Sequence, residues 1–245
     1  MRITISFNSD QEVMLPIHYN HIVQAFIYNN ISDKDYRSFL HTTGYYHEDK
    51  QFKLFTFSRL RGKFRLHKEE GKISFSPPVT LVISSPLEPL ITDLAETLIK
   101  SERIYLGRNV VTISGINVHR ELNFGEKIQI KMLSPIVAHT TTFDNGKKTT
   151  NYFSPWDDEF DQLINMNLSK KYQIIYDQEP KGKLFVIPGG TQKDRMMSII
   201  NYKGFYIKGY SGFYWLVGDP DLMKVAYDCG LGSKNSQGFG CWELI

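Results

Sequence analysis

The residue types best suited to chemistry are concentrated in a glycine-rich segment near the end of the chain. Residues 230–240 contain four glycines in two Gly-hydrophobic-Gly units, and the five residues between the units include Lys234. Such a density of glycine indicates positive φ angles or a backbone that approaches a ligand closely. Backbone N–H groups in a loop of this kind, with a lysine at its tip, are suited to binding an extended polyanion. Two familiar phosphate-binding patterns fail here, because Asn235 stands where the dinucleotide fingerprint needs glycine and no Gly-Lys-Ser/Thr is present.

A row of basic residues is a second candidate polyanion site. Within residues 59–67 every second side chain is basic: Arg59, Arg61, Lys63, Arg65 and His67. On one face of a strand they would lie about 6.7 Å apart, which is comparable to the spacing of successive phosphates in one nucleic-acid strand. A face that is merely solvated would mix charges of both signs, because like charges in a row repel each other. The pattern therefore favours polyanion binding.

Composition and charge exclude only a few classes of function. The net charge of +3 permits a nucleic-acid partner without requiring one. Cys229 and Cys241 lack the CxxC spacing of a metal site, and no HExxH motif, carboxylate pair or Cys/His cluster suggests a metal. We therefore expect no metal and no cofactor. Residues 1–7 alternate like a strand rather than forming a leader, and no apolar run approaches the roughly 18 residues of a membrane span, which predicts a soluble cytoplasmic protein with no membrane partner.

The elements that position these residues follow a regular order in the first half. The alternation of residues 2–7 predicts a strand, and apolar spacing predicts a helix over His18 to Asn30. On that helix His21, Gln24 and Tyr28 form a hydrogen-bonding stripe beside the apolar face. The remaining elements are a short helix, three extended segments, a helix and a strand: residues 33–41, 53–67, 73–75, 79–84, 87–100 and 110–118.

The second half repeats this plan without clear residue-level similarity to the first. The predicted strands and helices are residues 127–133, 156–168, 184–187, 196–202, 205–217, 222–227 and 239–244, and residues 144–148 are typical of a turn in a mobile loop. The order strand, helix, two strands, helix, strand is the ferredoxin-like arrangement used by RNA-recognition domains. The fold class is therefore α+β, with two tandem ferredoxin-like domains over residues 1–124 and 125–245 and a C-terminal glycine-rich loop.

The glycine-rich segment resembles the C-terminal motif of the repeat-associated RNA-binding proteins of CRISPR systems. The chain is most similar to the CRISPR-associated endoribonucleases that cut repeat transcripts into guide RNAs, with further matches at residues 25–28, 39–45, 53–58 and 133–136. This resemblance implies that CRISPR repeat RNA is the partner. Together with the basic row, it makes the following residues the candidate RNA-binding set: Arg59, Arg61, Lys63, Arg65, Gly230, Gly232, Lys234, Asn235, Ser236, Gly238 and Gly240.

By the same resemblance, Tyr28, His41 and Lys53 form the cutting site. The reaction implied is attack of a 2′-hydroxyl on the adjacent phosphate, which leaves a 2′,3′-cyclic phosphate and a 5′-hydroxyl without a metal ion. Histidine, with an ordinary pKa of about 6.5, suits proton donation to the leaving oxygen, and Lys53 would neutralise the phosphorane. A phenol is only about 0.1% ionised at neutral pH, so we expect Tyr28 to orient the 2′-hydroxyl unless its surroundings lower its pKa considerably.

Several alternatives stay open at this stage. His47 and His21 are the rival proton donors, whereas His119 and His139 are interpreted as structural. A non-catalytic guide-RNA-binding subunit of a CRISPR complex would use the same folds and loop. A third hypothesis is an unrelated tandem ferredoxin-like module that binds a small ligand or a protein. The sequence also leaves open a homodimer and association with other subunits of an interference complex.

Overall fold

The first half of the chain forms a seven-stranded antiparallel sheet with helices on one face, and a separate two-stranded hairpin, residues 45–52. In the computed structural model, which describes residues 1–144, 147–190 and 196–245 (only the backbone of 144, 147 and 148), its elements are as follows. They are β1 (Arg2–Asn8), β2 (Val13–Pro16), α1 (Asn20–Asn29), α2 (Lys34–Ser38), a π-helical turn (Phe39–Thr43), β3 (Tyr45–His47), β4 (Lys50–Phe52), β5 (Thr56–Phe57), β6 (Arg61–His67), β7 (Lys72–Ser84), α3 (Glu88–Lys100), β8 (Ile104–Leu106) and β9 (Asn109–Val118).

The order of strands in this sheet is that of a ferredoxin-like unit. β1 pairs with β7 on one side and with β9 on the other, so that Ile5 lies opposite both Leu81 and Ile116. β5 and β6 pair with the far edge of β7, and β2 and β8 extend the sheet. Alternate β1 side chains, such as Ile3 and Ile5, are fully buried in a core shared with α1 and α3, as the period-two alternation predicts.

The second half repeats the arrangement with two inserted hairpins. Its elements are β10 (Lys127–Met132), β11 (Ala138–Asp144), β12 (Lys147–Phe153), α4 (Glu159–Tyr176), β13 (Leu184–Pro188), β14 (Met197–Tyr202), β15 (Phe205–Tyr210), β16 (Phe213–Gly218), α5 (Pro220–Cys229), a 3₁₀ turn (Asn235–Gln237) and β17 (Trp242–Leu244). The four-stranded sheet has the order β13-β16-β10-β17, while β11 pairs with β12 and β14 with β15. The prediction of two tandem ferredoxin-like units is thus confirmed.

Four local predictions need correction. Residues 205–217 form two strands in different sheets, because the chain turns at Gly212 with φ +116°. The two strands predicted between residues 73 and 84 are one strand, β7. The helix predicted to end at Leu168 continues to Tyr176. The extended row of basic residues begins with β6 at Arg61, so Arg59 precedes the strand.

The two halves pack together through the outer face of the first sheet. Arg2 is buried on this face, its guanidinium donates to the carbonyl oxygen of Trp242 at 2.5 Å, and it lies 4.0 Å from the ring centre of Tyr227. Ser84 donates to the carbonyl oxygen of Tyr227 at 3.0 Å. The sheet of the first half ends at Val118 and that of the second begins at Lys127. A domain boundary at residues 124–125 stays a prediction, and the turn predicted at residues 144–148 has its centre, residues 145–146, outside the described residues.

Candidate active site

The glycine-rich loop, residues 230–240, connects α5 to β17 and is folded tightly against the protein. Its four glycines all have positive φ angles. A Cβ atom at Gly232 would lie 2.4 Å from the carbonyl oxygen of Val137, and one at Gly240 would lie 2.0 Å from that of Leu231. These glycines are buried, so close packing within the protein by itself requires glycine at these positions.

Asn235 and Lys171 hold the interior of the loop. The Asn235 side-chain amide donates to the carbonyl oxygens of Leu231 and Phe239, at 3.1 and 3.0 Å. The ammonium of Lys171 on α4 donates to the Asn235 side-chain oxygen at 2.7 Å. Sequence reasoning missed Lys171, although a signal existed: it continues the apolar spacing of Ile164 and Leu168 on a helix face that is otherwise buried.

The first half of the chain braces the loop from the other side. The Asn20 side chain on α1 donates to the carbonyl oxygen of Gln237 at 2.8 Å, and that of Gln24 donates to the carbonyl oxygen of Ser236 at 2.6 Å. Thr56 on β5 donates to the carbonyl oxygen of Phe239 at 2.9 Å. The helix that carries Tyr28 is therefore attached directly to the glycine-rich loop.

Tyr28, His41 and Lys53 lie together in the structure. Tyr28 is one turn beyond Gln24 on α1, and its ring packs edge-to-face with the His41 imidazole, with 5.1 Å between ring centres. The Lys53 ammonium donates to the backbone carbonyl oxygen of His41 at 3.0 Å. Tyr28 is buried, Lys53 is half-buried and His41 is exposed. Direct contacts thus join Tyr28 to His41, 13 positions later in the sequence, and His41 to Lys53, a further 12 positions on.

A π-helical turn presents His41 at this position. The turn spans Phe39–Thr43 and ends at Gly44, whose N–H donates to the carbonyl oxygen of Phe39 at 2.7 Å. Gly44 has φ +59°, and a Cβ atom there would lie 2.6 Å from the carbonyl oxygen of Phe52 and 2.9 Å from Cδ of Lys53. Single π-helical turns are frequent at functional sites. Glycine at this position lets the turn approach Lys53, which lies between β4 and β5.

Burial shifts the pKa values of two members of the cluster. Desolvation, followed by the neighbouring Tyr202, raises the pKa of the Tyr28 hydroxyl well above its ordinary value. Desolvation lowers the pKa of Lys53. Both shifts follow from the cost of a charge away from water. In the free protein Tyr28 is therefore a neutral hydrogen-bonding group.

The rival histidines have other surroundings. His47 lies on β3, 3.9 Å from the Glu48 carboxylate, and lines a separate cavity of about 590 Å³. His119 shares a hydrogen bond of 2.7 Å with Thr4. His21 is half-buried on α1. Among the described residues, His41 is the histidine whose ring contacts Tyr28.

His139 lies in the candidate site, although its neighbours in the sequence do not indicate this. Its Nδ1 lies 2.8 Å from the hydroxyl of Ser233 in the glycine-rich loop, and its ring packs against Tyr152. We interpreted His139 as structural because its neighbours in the sequence form no motif. Only the folding of β11 against the loop brings it to the candidate site.

A cleft of about 810 Å³ lies between the two halves at this position. One wall is formed by residues 49–55, which include Lys53, and the other by β11, α4 and residues 233–237 of the loop. The lining described by the structure contains one acidic residue, Asp49, and five lysines: Lys50, Lys53, Lys170, Lys171 and Lys234. The cleft therefore combines a positive potential with a candidate catalytic residue and the candidate RNA-binding loop.

The basic row divides into two parts. Arg59 donates to the hydroxyl of Ser198 at 3.1 Å, and Arg61 forms an ion pair of 3.2 Å with Glu243. Both therefore connect the first half to the second. Lys63 and Arg65 are exposed on β6, and within the described residues they form no ion pair. Only this second part of the row is available as an unpaired basic surface.

Two family models together match nearly the whole chain. The model of the CRISPR-associated protein Cas6 C-terminal region matches residues 110–244, and the model of the Cas6 N-terminal region matches residues 14–117. The chain belongs to the Cas6 family.

Two curated relatives illustrate the range of Cas6 proteins that it resembles. It is 28% identical over 244 residues to the CRISPR-associated endoribonuclease Cas6 1 of Methanocaldococcus jannaschii, covering 98% of this chain and 91% of the relative. It is 27% identical over 191 residues to an endoribonuclease-like protein, Cas6nc, of Pyrococcus horikoshii, covering 78% of this chain and 79% of the relative.

Solved structures support the Cas6 fold. A Cas6-related protein from Pyrococcus furiosus superposes with a TM-score of 0.86 at 23% identity, covering 100% of this chain and 98% of the other. Among the described residues of this Cas6 chain, no group of three or more His, Cys, Asp or Glu side chains is placed to hold a metal ion. The helices in the described ranges are all too short or too polar to cross a membrane.

Proposed function

We propose that this Cas6-family protein is a metal-independent endoribonuclease that cuts CRISPR repeat RNA. The observation that carries the proposal is the meeting of the two candidate elements. Lys53 donates to the carbonyl oxygen of His41, whose ring packs against Tyr28. Lys53 also lines the same lysine-rich cleft as residues 233–237 of the glycine-rich loop. The similarity to CRISPR-associated endoribonucleases supports the class of reaction.

The chemistry begins with the substrate's own 2′-hydroxyl. Its oxygen forms a bond to the neighbouring phosphorus, its proton leaves to solvent, and the bond from phosphorus to the 5′-oxygen of the next nucleotide breaks. The products are a 2′,3′-cyclic phosphate and a 5′-hydroxyl. The reaction needs a proton for the leaving oxygen and positive charge near the crowded phosphorane.

His41 and Lys53 can supply these two needs. The His41 imidazole is exposed and can reach a leaving 5′-oxygen as proton donor. The Lys53 ammonium uses one N–H on the His41 carbonyl oxygen and has two more for phosphate oxygens. The bond between them keeps the proton donor and the positive charge beside each other.

Tyr28 is assigned to orientation rather than proton abstraction. Burial raises the pKa of its hydroxyl, so a tyrosinate is even scarcer here than in water. A neutral hydroxyl can still accept from or donate to the attacking 2′-hydroxyl. Edge-to-face packing against His41 fixes the distance between the orienting group and the proton donor.

Incubation of the protein in EDTA with repeat RNA, and with the same RNA carrying one 2′-deoxy nucleotide at the cut site, tests the proposal. We expect cutting of the unmodified RNA, with 2′,3′-cyclic phosphate and 5′-hydroxyl ends identified by mass spectrometry. The deoxy substrate should bind and stay intact. Cutting of the deoxy substrate, or loss of cutting in EDTA, would rule this mechanism out.

The second candidate function is guide-RNA binding without cleavage. The similarity to the endoribonuclease-like Cas6nc protein supports it. It predicts tight binding of repeat RNA with no product at any time, and equal behaviour of the wild type and His41→Ala. The time course with unmodified RNA separates the two functions directly.

A further inference from the structure

The buried lysine beneath the glycine-rich loop has no role in the reaction described above. Lys171 lies on the apolar face of α4, and its side chain is 2% exposed. Its ammonium donates to three oxygens: the carbonyls of Gly230 and Gly232, at 2.8 and 2.9 Å, and the side chain of Asn235, at 2.7 Å. An ammonium has three N–H donors, so all of them are used on the inner side of the loop.

All three acceptors are neutral. Within the described residues no carboxylate pairs with Lys171, and the neighbouring Cys229 is held as a neutral thiol because burial raises its pKa to about 12. Burial also lowers the pKa of Lys171 to about 8, so the ammonium is charged at neutral pH. Burying a charge without an oppositely charged partner costs free energy. The presence of the Lys171 ammonium against the glycine-rich loop therefore calls for a functional explanation.

The position of the charge indicates what that function is. Lys171 donates to Gly230, Gly232 and Asn235 as a buried side chain, whereas Ser233, Lys234 and Ser236 are partly exposed, and all of these except the two glycines line the cleft. A buried charge acts on a neighbouring charge more strongly than a charge in water does. A phosphate bound in the cleft beside residues 233–236 would therefore experience both Lys234 and the charge of Lys171.

We propose that Lys171 is a positioning residue that holds the glycine-rich loop in its RNA-binding shape and adds positive charge beneath the bound phosphate. This inference rests on the proposed function only in taking RNA as the ligand. Lys171 does not touch the reacting atoms. It is expected to govern binding of substrate, and not the rate of the chemical step.

The test compares Lys171→Met with Lys170→Met. The two lysines are adjacent on α4 and line the same cleft, but the Lys170 side chain is partly exposed and pairs with the exposed Glu48. Binding is measured with repeat RNA carrying the 2′-deoxy nucleotide, over a range of salt concentrations. We expect Lys171→Met to weaken binding roughly ten- to hundredfold with little change in salt dependence, because the lost charge is shielded from counterions. Lys170→Met should instead lower the salt dependence.

Two further measurements separate positioning from general loss of structure. Hydrogen exchange should accelerate at the amides of residues 230–240 in Lys171→Met, while the strands of the first sheet keep their protection and Lys170→Met resembles the wild type. With unmodified RNA, Lys171→Met should raise KM and keep kcat, whereas partial unfolding would lower kcat.

Equal affinity of Lys171→Met and the wild type would overturn the inference, as would an unchanged loop in hydrogen exchange. If Lys171→Met does not fold, Asn235→Ser removes one of the three acceptors of Lys171 and the two hydrogen bonds from Asn235 to Leu231 and Phe239, without changing α4. It should weaken binding and accelerate exchange in the loop, and wild-type binding with wild-type exchange in this variant would overturn the positioning role. Failure of the wild type itself to bind repeat RNA would count against the proposed function instead, and the exchange result would still report on the loop.

Discussion

The glycine-rich loop and the Tyr28–His41–Lys53 cluster are built in opposite ways. The loop is bound from within by Asn235 and Lys171 and braced from outside by Gln24. The three members of the cluster contact each other through the Tyr28–His41 ring contact and the Lys53–His41 backbone hydrogen bond, and His41, the proposed proton donor, is exposed. A preformed binding surface loses little entropy when RNA binds. The exposed His41 imidazole, by contrast, is held on one side only, by the ring of Tyr28.

The two halves of the molecule depend on each other through α1. α1 carries Tyr28 and also supports the loop of the other half through Asn20 and Gln24. Under the proposed function, the loop would therefore position the RNA relative to the same helix that carries the orienting Tyr28. Changes in the cluster should alter the rate, and changes in the loop should alter binding and stability.

The largest effect is expected from His41→Ala. Loss of a proton donor should reduce the cutting rate about 10²- to 10⁴-fold, or about 3–5 kcal/mol of barrier, while binding of the deoxy RNA is retained. Single-turnover kinetics with excess protein measure the rate. His47→Ala is the matched control, because His47 lines a different cavity. A greater loss in His47→Ala than in His41→Ala would exchange the roles assigned to these histidines.

Gly240→Ala should destabilise the protein by about 3–4 kcal/mol. The new Cβ atom would lie 2.0 Å from the carbonyl oxygen of Leu231, at a φ of +78° that side chains rarely adopt. Urea unfolding measures the change. Gly125→Ala is the control, since no atom lies within 4 Å of its new Cβ, and its effect should be within about 0.5 kcal/mol. Similar stabilities of the two variants would show that the loop is less tightly packed than described.

The pH dependence of stability should report on Lys171. Its pKa is about 8 in the folded protein and 10.5 ordinarily, so between these values the unfolded chain holds a proton that the folded protein has lost. The free energy of unfolding of the wild type, relative to Lys171→Met, should therefore rise with pH from about 8 to 10.5, by about 3 kcal/mol. Denaturant titrations at pH 7, 9 and 10.5 measure it. A flat difference would mean that the folded protein does not disfavour the charged lysine.

The smallest effect is expected from Tyr28→Phe. Removal of a neutral orienting hydroxyl should slow cutting about tenfold, equivalent to about 1.4 kcal/mol. Because burial raises the pKa of Tyr28, the dependence of the rate on pH should keep its shape in this variant. Rates from pH 6 to 9 test this. A wild-type rate that climbs steeply with pH in a way that Tyr28→Phe abolishes would identify Tyr28 as a base.

Several features were predictable because they depend on neighbours in the sequence. Alternation in β1 and apolar spacing in α1 and α3 follow from burying one face of each element. The order of these elements was sufficient for the ferredoxin-like topology. The long α4 was predicted too short, because two lysines, Lys170 and Lys171, interrupt its apolar pattern. Residues 205–217 were read as one strand, because a turn at Gly212 cannot be distinguished there from a strand glycine.

The sequence by itself determined the order of the elements and the tight turns at the spaced glycines, since both arise from backbone preferences and local burial. Only the tertiary structure decided that Lys171 lies beneath the loop, that His139 lies beside Ser233 and that Gln24 braces Ser236. These contacts join residues about 60 to 210 positions apart, which no local preference encodes. They form because the chain brings α1, α4 and β11 against the loop, where these buried or half-buried polar groups find hydrogen-bond partners.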